Sequence, residues 1–392
     1  MRLECIGCGK IFPLDEVRYT CDCGNLLSVE REITVDRKVF DERRTSRNPI
    51  DQSGVWRFRE GVLDAGDVVT HPEGSTRLYE RGGIFFKHEG ENPTGSFKDR
   101  GMTVAMTQAK RLGARAVACA STGNTSASLA AYAAQAGLRA IVFIPSGKVA
   151  AGKLAQTLAY GATALSVRGD FDNAMRLVRE ACDTLGIYLV NSINPFRIEG
   201  QKTIVWELLQ DLEWNAPDWI VVPAGNLGNT SAFGKALHEA RAAGWIDRMP
   251  RLAAIQAAGA NPFYRAYTES FAQRHKVQAE TVASAIRIGD PVSYEKAVAA
   301  IRATNGIVEQ VTDAELMAAK GEIDRMGIGC EPASATTLAG VKKLRAAGVM
   351  RDGERIVCVL TGHILKDPDA ILKTVSTIEI EPTIEAVGKA LG

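Results

Sequence analysis

From Gly95 onward, short apolar and β-branched runs alternate with longer stretches in which apolar residues recur every three or four positions. The pattern predicts helices over Met102–Leu112, Ser126–Ala136, Gly152–Tyr160 and Phe171–Leu185. Between and after them it predicts strands over Ala116–Ala120, Ala140–Ile144, Ala164–Val167 and Ile187–Val190. The alternation resumes with helices over Gln201–Leu212, Ser231–Ala243, Tyr294–Ala303, Ala333–Ala347 and Pro368–Val375, and strands over Trp219–Val222, Leu252–Gln256, Ile307–Val311 and Arg355–Leu360. Thr312 and Glu315 have capping-box spacing, which opens one more helix. Strands separated by helices join through parallel crossovers, with helices on both faces of a sheet. The expected class is therefore α/β, with two open, mostly parallel sheets. Residues 40–72 are rich in Arg and Asp with weak periodicity, and read as a wrapping arm or a contact between subunits.

Composition narrows the function classes. A chain of 392 residues with 46% hydrophobic and 24% charged residues has ample core and excludes disorder. Its 47 basic and 46 acidic residues leave a net charge of +1, which provides no long-range field for nucleic acid or an anionic membrane. Small-molecule chemistry is favoured. The longest apolar stretches are broken by Gly, Gln or Arg well short of the roughly 20 residues that a bilayer demands. The opening MRLECIGCGK lacks the apolar run of a secretory signal, so a cytoplasmic location is expected.

Of eight cysteines, Cys5, Cys8, Cys21 and Cys23 crowd into the first 23 residues. Two thiolate pairs on two turns suit a tetrahedral structural zinc site in a small ribbon, although Cys21-x-Cys23 is shorter than the familiar C-x-x-C. A free-standing ribbon that binds nucleic acid or a partner is the competing, non-enzymatic reading. It is weakened by the segment's mixed charges and sparse aromatic residues.

Four loops after expected strands carry candidate chemistry, because open parallel sheets bind ligands at the carboxyl ends of their strands. In Glu91–Gly101, Lys98 stands at the start of a helix, where the helix dipole and any desolvation disfavour its ammonium form. Taken alone, such a lysine is ordinarily a solvated charge. Ser121-Thr122-Gly-Asn124-Thr125-Ser126 offers hydroxyls and amides at a helix N-terminus, suited to an anion or to a plain cap. Gly225-Asn226-Leu227-Gly228-Asn229 follows a strand and opens a helix, a phosphate cup with neither the nucleoside-triphosphate nor the dinucleotide spacing. Thr361 ends a buried strand, where a hydroxyl can meet a heterocycle nitrogen, with His363 and Lys366 close behind. An amine nucleophile, a ring-nitrogen partner, a phosphate cup and a substrate cradle together match the needs of pyridoxal 5'-phosphate.

The motifs ENPTGSFKDRG, ASTGNTSAS, VNSINPFRIEGQK, PAGNLGN, EPASA and TGHILKDP follow one another over most of the chain, and in this the sequence resembles the threonine synthases, a family of fold type II pyridoxal-phosphate enzymes. The resemblance implies that Lys98 carries the cofactor as a Schiff base, that Asn124 contacts its ring hydroxyl, that Gly225 to Asn229 hold its phosphate and that Thr361 meets its pyridine nitrogen. It implies that Ser121, Thr122, Thr125, Asn191, Ser192 and Arg197 grip the substrate's phosphate. The implied reaction takes O-phospho-L-homoserine and water to L-threonine and phosphate, with Lys98 as the base, in a homodimer. A phosphoserine-using cysteate synthase and a serine/threonine dehydratase share the scaffold; Arg197 and the Asn191-Ser192 pair argue against the dehydratase. One departure stands in TGHILKDP, where Ile364 occupies a position that is more usually Gly in the family. The expected division is a Cys-rich ribbon over 1–30, an arm and part of the large domain over 31–97, a small domain over 98–195 and a large cofactor-binding domain over 196–392.

Overall fold

A computed structural model describes residues 1–147, 151–372 and 377–391. At the N-terminus, β1 (Arg2–Cys5), β2 (Ile11–Phe12) and β3 (Leu27–Glu30) form an antiparallel sheet in the order β2-β1-β3. Period-two alternation buries Leu3, Cys5, Leu27 and Val29, and these join the same core as Trp56, Phe58, Trp206 and Trp245. The ribbon is thus packed into the main body. In the Arg-rich stretch, Phe40, Trp56 and Phe58 are fully buried in this core, which anchors residues 40–72 to the main body.

The hairpin β4 (Leu78–Arg81) and β5 (Ile84–His88) precedes the small sheet, which is built from β6 (Ala116–Ala120), β7 (Arg139–Pro145), β8 (Thr163–Val167) and β9 (Tyr188–Leu189). All four small-sheet strands are parallel, in the order β8-β7-β6-β9. The large sheet adds β10 (Trp219–Pro223), β11 (Arg251–Ala257), β12 (Ile307–Val311) and β13 (Ile356–Leu360) to the hairpin, in the order β12-β11-β10-β13-β5-β4. Only the β4 edge is antiparallel there. Each sheet is buried on both faces: Ile220 and Val222 of β10 face one core, Trp219 and Val221 the other, which is why these strands read as unbroken apolar runs.

The connectivity fixes where ligands can bind. In the large sheet the chain moves outward from β10 through β11 and β12, then returns to place β13 on the opposite side of β10. In the small sheet it moves outward from β6 through β7 and β8, then returns as β9 on the other side of β6. Each reversal is a topological switch point, and the crevice outside the strands' carboxyl ends opens there.

Most expected elements are present, with shifts at their polar ends. Helices start at Lys98, Asn124 and Gly228, each three to four residues or fewer before the first apolar repeat. The helix expected over 201–212 is two, Phe196–Gln201 and Thr203–Asp211. Thr312 and Glu315 form the anticipated capping box. The closing helix is seen over Pro368–Leu372; the rest of its expected span, 373–375, lies outside the described residues. Among the described residues no helix is long and apolar enough to cross a membrane.

Candidate active site

Three of the four candidate loops, together with the Asn191–Arg197 segment, lie at the two switch points, and the Lys98 turn, which follows β5, is held beside Thr361 by a hydrogen bond from Phe97 N to Thr361 O at 3.0 Å. Ser121–Thr125 follows β6 and Asn191–Arg197 follows β9 in the small sheet, whereas Gly225–Asn229 follows β10 and Thr361 follows β13 in the large one. Lys98 opens the helix Lys98–Arg111, which packs against the helix Phe196–Gln201 bearing Arg197.

The Lys98 ammonium lies 4.0 Å from the centroid of the buried Phe97 ring. Loss of water deep in the protein, and then the positive charge of Arg197, bring its pKa down to about 7, against an opposing pull from Glu331. The residue is half-buried, so this dehydrated amine still opens onto the crevice. A lysine so tuned is substantially neutral, and therefore nucleophilic, at neutral pH.

The turn that carries it is fixed from below. Thr94 donates from its N–H and hydroxyl to Asp99 at 2.7 and 2.6 Å, and the Ser128 hydroxyl donates to the same carboxylate at 2.6 Å. Burial pushes the Asp99 carboxyl up to about 6, although these hydrogen bonds pull the other way. Arg100 is fully buried and reaches Glu89 at 2.7 Å and Glu207 at 2.7 Å, and Lys87 reaches Glu207 and Asp211 at 2.7 Å each. This charge network was not visible in the sequence, because its members are scattered over more than 120 residues.

Asn124 and Thr361 come from different sheets and are joined by one carboxylate. Asn124 Nδ2 donates to Glu331 Oε2 at 2.9 Å, and Thr361 Oγ1 donates to Glu331 Oε1 at 2.8 Å. Ser334 supports Thr361 by accepting from its N–H at 2.8 Å. Glu331 and Ser334 join the candidate site on these contacts alone, since no single-residue signal in the sequence marks them. The available signal was their place in EPASA, at the start of the helix Pro332–Ala346.

The Gly225–Asn229 loop turns through Leu227 in the left-handed conformation and enters the helix Gly228–Ala242. The first N–H groups of that helix, on Gly228, Asn229 and Thr230, have no carbonyl within the helix to receive them. Asn226 braces the loop: its Oδ1 accepts from Val292 N at 3.1 Å and its Nδ2 donates to Ser192 Oγ at 3.4 Å. Asn229 accepts from Gln201 at 2.7 Å. The buried Thr230 hydroxyl has no hydrogen-bond partner among the described residues. Free amides, an orphaned hydroxyl and a helix N-terminus form a site complementary to a phosphate group.

Arg197 is 2% exposed, donates from Nη1 to Val190 O at 3.2 Å, and leaves Nε without a partner among the described residues. Among the described residues it forms no ion pair, and burial lowers its pKa to about 10. Asn191 uses its amide to pin the end of β9 to β6, accepting from Ala120 N at 3.0 Å and donating to Ala120 O at 3.1 Å. Ser192, Ser121, Thr122 and Thr125 are half-exposed, and Ser121 Oγ also accepts from Gly123 N at 3.3 Å.

The Ile364 departure is accommodated without strain. Ile364 is not among the residues with positive φ; it opens a 3-10 turn capped by His363, whose Nδ1 accepts from Leu365 N at 3.2 Å. Lys366 donates to Gln156 at 2.7 Å, tying this loop to the helix Ala151–Ala159 beside the small sheet.

The four N-terminal cysteines converge: their Sγ atoms all lie within 4.8 Å of one another, with Cys5 and Cys21 buried and Cys8 and Cys23 exposed.

Comparison with known proteins agrees with this geometry. The family described as pyridoxal-phosphate dependent enzyme matches residues 68–362. The threonine synthase of Methanocaldococcus jannaschii is 47% identical over 391 residues, covering 95% of this chain and 95% of its own. That of Methanosarcina acetivorans is 46% identical and covers 99% of this chain and 98% of its own. Among solved structures, the threonine synthase of Escherichia coli superposes with a TM-score of 0.74 at 17% identity, over 100% of this chain and 94% of that one, a likeness of fold.

Proposed function

The chain belongs to the pyridoxal-phosphate dependent enzymes and, within them, to the threonine synthases, and from that premise we propose that it converts O-phospho-L-homoserine and water to L-threonine and phosphate, with Lys98 as the residue that holds the cofactor and moves the protons. The observation that carries this reading is the approach of a dehydrated Lys98 amine to a buried Arg197 that has no ion pair among the described residues, on two helices packed against each other. A buried guanidinium without an ion pair is costly unless an anionic ligand completes the site.

The residues present fit the cofactor. Lys98 would take its aldehyde, Asn124 its ring hydroxyl, Thr361 its ring nitrogen, and Gly225 to Asn229 with Thr230 its phosphate. When bound, pyridoxal phosphate supplies an aldehyde that exchanges between Lys98 and the substrate amine, and a ring that accepts the electron pair left at Cα. Lys98 then takes the Cα proton, takes a Cβ proton as phosphate departs from Cγ, and returns protons to Cγ and Cα, while water supplies the hydroxyl at Cβ. An amine with a pKa near 7 suits both directions of transfer at neutral pH. Arg197 is planar and permanently charged, and is suited to the substrate's phosphate together with Ser192, Ser121, Thr122 and Thr125. Asn191 poses that loop through its two bonds to Ala120. Lys366 and Gln156 hold the two sheets together over the site, and closure of the 98–195 unit would keep early water from the reacting carbons. The eight cysteines form no disulfide, which suits a reducing cytoplasm, where we place the enzyme; the homodimer is carried over from the family resemblance.

Incubation with O-phospho-L-homoserine and with phosphoserine, separately, tests the assignment. Equal amounts of free phosphate and threonine are expected from the first and no amino-acid product from the second. Phosphate release without threonine would refute it.

A further inference from the structure

The ribbon lies outside the reaction just described, yet it contains the densest group of metal-ligating atoms in the described chain. Cys5 and Cys23 Sγ are 3.5 Å apart, and Cys8 Sγ is 3.6 Å from both Cys21 and Cys23. Four sulfurs at about 2.3 Å from a central tetrahedral zinc would be about 3.8 Å from one another. These three spacings fall just short of that value and all four sulfurs lie within 4.8 Å of one another, close enough for one cation to reach them all.

Backbone and donors are arranged for thiolates. Each cysteine pair sits on a tight turn: Gly9 N donates to Cys5 O at 3.0 Å and Gly24 N to Cys21 O at 2.8 Å, with both glycines at positive φ. Gly7 N and Cys8 N point at Cys5 Sγ at 3.4 and 3.5 Å, and Asn25 Nδ2 at Cys23 Sγ at 3.4 Å. A neutral thiol is a weak acceptor, whereas a metal-bound thiolate uses such donors to offset its charge. Four protein ligands would close the coordination sphere, which makes the site structural.

What the ribbon grips gives the site a purpose. Tyr19, two residues before Cys21, accepts from Leu189 N at 2.7 Å and packs edge-on against Tyr188. Leu189 ends β9, two residues before Asn191. On the other side, Lys235 donates to Val29 O and reaches Glu199 at 2.7 Å, and Lys296 donates to Leu27 O at 2.6 Å. Glu199 lies two residues beyond Arg197. The ribbon therefore touches the strand that leads into the Asn191–Arg197 segment directly, and the helix that leaves it through Lys235; its three strands are only two to four residues long, so a cross-link between its two turns adds to the order that its buried side chains provide.

We propose that Cys5, Cys8, Cys21 and Cys23 bind one zinc-class divalent cation, and that this metal fixes the ribbon whose Tyr19 holds Leu189, and whose Val29 holds Glu199 through Lys235, on the two flanks of the segment that shapes the anion side of the crevice. The metal site stands on its own geometry; its effect on anion binding rests on the function proposed above for Arg197.

Full-length, cofactor-loaded protein from zinc-supplemented growth should carry about one zinc per chain, and cobalt exchange should give thiolate-to-cobalt charge-transfer absorption. A Cys8→Ser/Cys23→Ser double variant alters only the two exposed ligands and should lose both signals, whereas Cys182→Ala, at a buried thiol elsewhere, should keep them. Chelator-stripped protein should bind inorganic phosphate several-fold more weakly while it retains the absorbance of bound cofactor. A metal content near zero with no cobalt absorption, or a double variant that keeps its metal, overturns the site. Unchanged phosphate binding after stripping overturns the metal's effect on that segment. Failure to make threonine in fully metallated protein would overturn the proposed reaction and leave the metal site standing.

Discussion

A Cβ at Gly200 would lie 1.7 Å from the carbonyl oxygen of Arg100. The two helices that carry Lys98 and Arg197 thus meet backbone to backbone, and the contact is reciprocal, since a Cβ at Gly101 would sit 2.9 Å from Arg197 O. Any larger residue at this crossing separates the amine from the guanidinium. Arg100 reinforces it by donating to Thr203 Oγ1 at 3.3 Å and to Glu207 at 2.7 Å.

Gly200→Ala should therefore disturb the site as well as the fold. Overpacking of this kind costs about 1–3 kcal/mol, and relief of the clash must move the helix Phe196–Gln201 with Arg197 on it. Urea unfolding should show the stability loss, and KM for the phosphorylated substrate should rise. A variant with wild-type KM would show that the close approach does not position Arg197.

Lys98 should titrate as an amine with a midpoint near 7 in place of the ordinary 10.5. Only the neutral amine attacks an aldehyde, so capture of pyridoxal phosphate by cofactor-free protein, trapped with borohydride, should rise through neutral pH. Arg197→Met removes a repelling cation and should move the midpoint up; Glu331→Gln removes an attracting anion and should move it down. A midpoint that ignores both substitutions would refute the electrostatic coupling.

The parts of this site that were legible in the sequence are those that local chemistry dictates. Strand and helix positions followed from periodicity, and the four loops from small and polar residues after apolar runs, because a parallel sheet exposes its chemistry there. Glu331 escaped notice because its meaning depends on Asn124 and Thr361 arriving from two sheets, a relationship that periodicity does not encode. The Glu89–Arg100–Glu207–Lys87 network was hidden for the same reason: each member looks like an ordinary surface charge until topology buries it. Helix starts at Lys98, Asn124 and Gly228 were placed late, since their first turns are polar and face the crevice, where an apolar pattern has nothing to mark. The short ribbon strands were missed because two to four residues are too few to establish a period.

Arg197→Met should give a protein that is at least as stable but binds substrate poorly. Replacing a buried charge with an apolar side chain of similar length is often neutral or stabilising by about 1–4 kcal/mol, and here the charge has no ion-pair partner among the described residues. A charge-assisted hydrogen bond to the substrate is worth about 1.5–3 kcal/mol, so KM for the phosphorylated substrate should rise roughly ten- to hundredfold. Thermal unfolding and steady-state kinetics measure the two effects independently. A destabilised variant with unchanged KM would mean that Arg197 is a structural residue.

Glu199 should make stability depend on acid pH. Burial alone would push its carboxyl up, but Lys202, Lys235 and Arg31 outweigh burial and hold it at about 2, against an ordinary 4.5. A carboxyl lowered on folding contributes stability that is complete above about 4.5 and is lost as pH falls through about 2, a contribution on the order of 3 kcal/mol. Lys235 also bonds Val29 of the ribbon, so protonation of Glu199 loosens the ribbon's attachment together with the Arg197 helix. Glu199→Gln should flatten the pH dependence of the urea midpoint in this window and, at neutral pH, cost about 3–5 kcal/mol by leaving Lys202 with Glu239, and Lys235 with Glu239 and Glu30 each 3.9 Å away. An acid slope in the variant as steep as that of the wild type would assign the effect to other carboxylates.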